Sequence, residues 1–142
     1  MDNKKWWKSL KPFRLKSNWT IKWNKLEDIE PDEIEPEDEA WLYIFVQDMT
    51  YLVTEYTYKE NKKVITHTLA IDLGWYPEGD VKGHYYLIAI LDDDWNNPIL
   101  ELKTRNTQEV ADTIEQWSFE TFTDIFWKDV RRGKYFQTLS KK

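Results

Sequence analysis

Hydrophobic and polar positions alternate through the middle of this chain. Trp19, Ile21 and Trp23 share one phase of a two-residue period, with Thr20 and Lys22 on the other, the pattern of a half-buried strand. Trp41–Val46, WLYIFV, is a continuous apolar run whose aromatic and β-branched content predicts a strand. Tyr51–Tyr58 and Val64–Leu73 flank KENKK and predict a β-hairpin with a loop of about five residues. In the second arm Ile65, His67, Leu69 and Ile71 fall on one face. Two further strand-forming runs, His84–Leu91 and Ile99–Lys103, are joined by the turn-rich DDDWNNP. At Asn106 the period lengthens. Asn106 is placed to cap a helix with Glu109 three residues on, and Val110, Ile114 and Trp117 follow at helical spacing. A second amphipathic segment runs through Phe122, Ile125, Phe126 and Val130 to a stop at Gly133, either as a bent continuation past Ser118 or as a separate helix. The pattern predicts an α+β fold: an antiparallel sheet of about five to six strands with one or two C-terminal helices packed on one face.

The segments between these elements carry much of the charge. Residues 27–39, EDIEPDEIEPEDE, hold nine carboxylates and two prolines, and so predict an extended loop, either a solvated linker or a polyanionic arm for a basic groove. Met1–Leu10 has the spacing of a short helix through Trp6, Trp7 and Leu10, stopped before Pro12. GWYPEGDVKG holds three of the four glycines and reads as a shaped loop. Loops are where binding residues concentrate, so Trp75, Tyr76, Glu78, Asp80, Asp92, Asp93, Asp94 and Trp95 are the candidate partner-binding residues.

Length and composition narrow the class. A chain of 142 residues reads as a single domain with room for a core. It has no cysteine, which leaves no disulfide and no thiolate metal site. No apolar run approaches membrane-spanning length, and no continuous apolar stretch marks a secretory signal, so the expected location is the cytoplasm. Nine Trp, eight Tyr and six Phe supply either a core of large amphipathic rings or a recognition surface. Charge is segregated. Residues 1–25 hold eight bases and one acid, 26–40 nine acids and no base, 41–125 fifteen acids and six bases, and 126–142 six bases and one acid. The net charge of −6 argues against direct nucleic-acid binding and suits a basic protein partner.

Catalytic signatures are missing. There is no HExxH, P-loop, GxGxxG or GxSxG, and Asp92-Asp93-Asp94 lacks calcium-loop spacing. No metal and no cofactor is expected. Carboxylates are so numerous that a glycosidase-like pair carries no specific signal. The two histidines, His67 and His84, read as structural. Aromatics beside acids, as in Trp75-Tyr76-Pro77-Glu78 and Asp93-Asp94-Trp95, suit binding better than chemistry. A carbohydrate-binding module or a small carboxylate-dependent enzyme is the alternative, and it requires a concave, aromatic-lined groove with convergent polar groups.

From Asp72 to Trp117, a third of the chain, the sequence resembles small bacterial immunity proteins, the antidotes encoded beside polymorphic or contact-dependent growth-inhibition toxins. The similarity rests on a GWYPE-type turn, a G-x-Y/F-x-L strand, a DW-x-x-P turn, a short strand and a helix opening near Asn106. The resemblance implies a non-enzymatic protein that neutralises a cognate toxin domain by binding it. GWYPEGD precedes and DDDW follows His84–Leu91, so the two loops fall at opposite ends of that strand, which predicts a separation of roughly 20–25 Å. Asp112 and Glu115, on the following helix, are expected to extend the acidic surface at the DDDW end.

Overall fold

The computed structural model describes residues 9–133. Five antiparallel strands form one open sheet in the order in which they occur. They are β1 (Thr20–Asn24), β2 (Thr50–Glu60), β3 (Lys63–Tyr76), β4 (His84–Leu91) and β5 (Leu100–Thr104). A single helical turn, α1 (Trp41–Ile44), precedes β2, and two helices, α2 (Thr107–Gln116) and α3 (Asp124–Arg131), follow β5. The α+β architecture expected from the pattern is the one observed, with the C-terminal helical segment divided in two. Between α2 and α3 the backbone makes a π-helical turn at Trp117–Thr121, close to Ser118.

Strand pairing divides the side chains cleanly, because residues paired across an antiparallel ladder share a face. Leu52, Ile71 and Ala89 are aligned on one face, as are Leu73, Leu87 and Leu102. This face packs against Val110, Ile114, Trp117, Phe122, Phe126, Trp127 and Val130 of the helical layer. The helix spacing from Val110 to Trp117 therefore locates the core correctly. In α3 Ile125 is 72% exposed, and Trp127, stacked on Tyr56, takes the core position. Asn106 caps α2 as expected, its side chain accepting from the Glu109 amide at 2.8 Å. The Glu109 carboxylate accepts instead from the Thr104 hydroxyl, so the reciprocal half of the capping box is not formed.

Four sequence expectations are corrected. Trp41–Val46 begins as the helical turn α1, because helical spacing turns Trp41, Ile44 and Phe45 together into the core. Trp41 and Phe45 lie 4.4 Å apart there, and the Asp38 carboxylate accepts from the Ala40 amide. The β2–β3 hairpin closes in two residues, Asn61 and Lys62, with both φ angles positive, since the ladder continues to Glu60 and Lys63. A register shift between Ile21 and Trp23 moves Trp23 to the face of Tyr51 while Ile21 stays opposite Leu52, so Trp19, Ile21 and Trp23 do not share one face.

The acidic stretch 27–39 is packed down. Pro31 and Ile34 are buried, a 3₁₀ turn runs over Pro31–Glu33, and the Glu30 carboxylate accepts from the Thr107 and Gln108 amides at the start of α2. One acid of the run thus satisfies two helix-terminal donors, where the helix dipole favours negative charge. Asp28 pairs with Lys11 and Asp32 with Arg105. The helix expected over Met1–Leu10 lies almost wholly outside the described residues. Leu10 itself makes an isolated β-bridge to Glu27.

Candidate binding surface

The second face of the sheet is built from the alternate residues of the same strands. Trp23, Tyr51, Asp72, Ile88 and Glu101 form one row across all five strands, and Val53, Ala70 and Ile90 form the next. No described helix lies on this face. Its apolar centre is the small cluster of Ala70, Ile88 and Ile90, flanked by Tyr51, Val53 and Tyr86. Trp23 stacks on Tyr51 at 5.0 Å, and Trp95 stacks on the same ring at 6.3 Å with 19° between planes. Trp23 is 43% and Trp95 46% exposed. The aromatic residues divide between the two faces: Trp41, Phe45, Trp75 and Tyr85 fill the core, while Trp23, Tyr51 and Trp95 form a surface stack.

Beside the stack lies a hollow of about 620 Å³. Ile88 and Tyr86 contribute from β4, Tyr76 and Asp72 from β3, Lys103 from β5 and Trp95 from the β4–β5 turn, with Asp48 and His84 completing the lining. Asp48 arrives there through the backbone. Residues 46–49 run beside β3, with the Met49 amide donating to Leu73 and the Trp75 amide to Val46. Gly74 permits the approach, because a Cβ there would collide with the Gln47 carbonyl. The Asp72 carboxylate accepts no hydrogen bond and joins no ion pair among the described residues. Burial pushes its carboxyl up to about 6, helped by the charge of Asp48. Burial also raises the Tyr76 phenol, with smaller contributions from Asp72, Asp48 and Glu78. The Tyr86 hydroxyl donates to Glu101 at 2.7 Å, and the Lys103 ammonium lies 5.4 Å from the Tyr86 ring centre.

The candidate residues from the sequence are dispersed by this geometry. Trp75 is in β3, fully buried, with its indole N–H donating to the Asp80 carbonyl at 2.8 Å. It holds the 77–83 loop in place and offers no surface to a partner. Arg105 completes that anchor, donating to the Val81 and Gly83 carbonyls with its guanidinium over the Trp75 ring. Tyr76 ends β3 on the open face, and Glu78 and Asp80 are exposed in the loop that follows.

In the β4–β5 turn Asp92 is committed to the fold. Its carboxylate accepts from the Thr68 amide at 2.9 Å and bonds His67 at 2.8 Å. Asp92 and Asp93 both have positive φ, Asp93 is exposed, and Asp94 accepts from Asn97. Asp112 and Glu115 lie in the helical layer, across the sheet from Trp95. Asp112 accepts from Gln108, and Glu115 accepts from the Arg14 amide and faces its guanidinium. They do not extend the DDDW surface.

The two loops nevertheless meet in one respect. The β4–β5 turn folds back over the open face, so Trp95 lines the same hollow as Tyr76 at the far end of β3. Sequence reasoning missed Asp48, Asp72, Tyr86, Trp23 and Tyr51. The alternation of His84, Tyr86 and Ile88 against Tyr85, Leu87 and Ala89 was the available signal for a second, semi-polar face. No family model, curated protein or solved structure matches this chain.

Proposed function

We propose that this protein is a non-enzymatic, cytoplasmic binding protein of the immunity type, which neutralises a basic toxin domain by covering it with the open face of its sheet. The observation that carries the reading is the partly exposed Trp23–Tyr51–Trp95 stack on a sheet face that no described helix covers. Large rings held rigid by stacking make strong anchors at low entropic cost. Carboxylates around them suit a basic partner and steer its approach. The test is growth protection. Cells producing the toxin domain encoded beside this chain should survive when the chain is co-produced. Trp23→Ala with Trp95→Ala should abolish that protection without unfolding the protein, since both side chains are partly exposed. Undiminished protection by the double variant would overturn the reading.

The hollow also favours a second reading, a carbohydrate site, because it is concave, aromatic-walled and furnished with two carboxylates. Binding on a glycan array, lost in Trp95→Ala, together with failure to protect against any neighbouring toxin, would select it.

A further inference from the structure

The open-face hollow has an uneven distribution of charge. Asp72 and Asp48 line it together on the β2–β3 side, close enough for the charge of Asp48 to act on Asp72, and among the described residues no cation is paired to either. Among the described residues the lining holds one lysine, Lys103, which is on β5 at the sheet edge and rests over the Tyr86 ring, forming no ion pair with these acids. Aromatic walls stand around the carboxylates: Tyr76, set edge-on to Tyr86 at 6.1 Å, and Trp95. The volume, about 620 Å³, exceeds what a long side chain needs.

We propose that this hollow is the receptor for one arginine side chain of the protein partner, its guanidinium set against Asp72 and Asp48 and flanked by the rings of Tyr76 and Trp95. The proposal deepens the binding reading given above and rests on it. Three features select this occupant. A guanidinium is planar and forks onto carboxylates, and it stacks on aromatic faces, so it uses both kinds of wall at once. A lysine ammonium uses the carboxylates but keeps a tighter hydration shell, which an aromatic wall does not replace. A calcium ion takes six to eight oxygen ligands, and among the described residues no group of three or more acidic or histidine side chains is placed to hold a metal. Placing a cation between two carboxylates also removes their mutual repulsion, a gain available only in the complex.

The test uses two small probes with the whole protein at pH 8: Nα-acetyl-arginine methylamide and its citrulline counterpart, which keeps the shape and loses the charge. Amide resonances of Asp48, Asp72 and Tyr86 should shift saturably with the arginine probe. The citrulline probe should bind at least about tenfold more weakly, the loss expected for one charge-assisted contact. Asp72→Asn should weaken the arginine probe by a similar factor. Equal binding of the two probes, or arginine shifts confined to the Asp92–Asp94 turn, would overturn the proposal. Its failure is separable from that of the functional reading. If the protein protects against its toxin while Asp48→Asn with Asp72→Asn leaves the Kd of that complex unchanged, the arginine receptor is wrong and the immunity reading stands. If the arginine probe behaves as expected and no toxin is neutralised, the receptor stands and the immunity reading falls.

Discussion

Glu27 shows how one residue sets a pH dependence. Its Oε1 is buried with no hydrogen-bond partner among the described residues, and burial pushes the carboxyl up from 4.5 to about 7. Ionising it costs more in the folded chain than in the unfolded one. The protein is therefore most stable with respect to Glu27 below pH 4.5, and that contribution is lost as pH rises to about 7. Glu27→Gln should raise the urea midpoint at pH 8, with a gain that shrinks steadily toward pH 5. Parallel wild-type and variant curves across that range would show that Glu27 ionises freely. Asp92 carries a different lesson: it stands in a run of three acids and reads as surface charge, yet its carboxylate is held by His67 and the Thr68 amide.

At the scale of elements, the β2–β3 hairpin illustrates a connection tighter than its sequence suggests. Asn61 tolerates its φ of 54° through its short polar side chain, whereas Lys62 at 67° has no such help. A two-residue turn with both residues left-handed prefers Asn-Gly, because its twist matches that of the strands. Lys62→Gly should raise stability by roughly 0.5–1 kcal/mol, the relief of left-handed strain less the entropy that glycine loses on folding. Urea unfolding measures it, and a lowered midpoint at unchanged slope would count against the assigned turn. The 27–39 stretch carries a related lesson. Nine acids and two prolines did predict the absence of a long helix, yet Glu30 and the apolar Pro31 and Ile34 tie it to α2 and the core.

Across the whole molecule, the two faces of the sheet differ in composition, and the difference has a measurable cost. The covered face carries the stability, while Asp72 on the open face is a charge the fold holds at a disadvantage. Its folded value of about 6 lies above the unfolded 3.8, so its contribution to stability is present below pH 3.8 and lost as pH rises to about 6. Asp72→Asn should therefore stabilise the free protein at pH 8, most visibly at low salt, while weakening its complex with a basic partner. Thermal unfolding of the variant beside titration with the proposed partner tests both arms. A variant that is less stable, or that binds as well as wild type, would remove Asp72 from the functional surface.

The fold class was legible in the sequence because periodicity reports directly on which side chains face a core. His84–Leu91 is a strand with the predicted bounds, Asn106 caps its helix, and Ile114 is buried where helical spacing puts it. Local pattern failed where packing outweighed it. The aromatic run at Trp41 coils into a turn because three of its side chains then reach the core together. The candidate site was the least legible part, since its members are separated in sequence and meet only through the ladder. Asp48 reaches Asp72 because Gly74 lets residues 46–49 lie against β3. Trp23 reaches Tyr51 through a shift in register, and Trp95 reaches the same ring by a turn that folds back over the sheet. The sequence by itself determined two alternating faces and the helices that follow them; which face those helices covered, and which rings and carboxylates were left together on the other, was decided by strand register and backbone contact, interactions between residues distant along the chain.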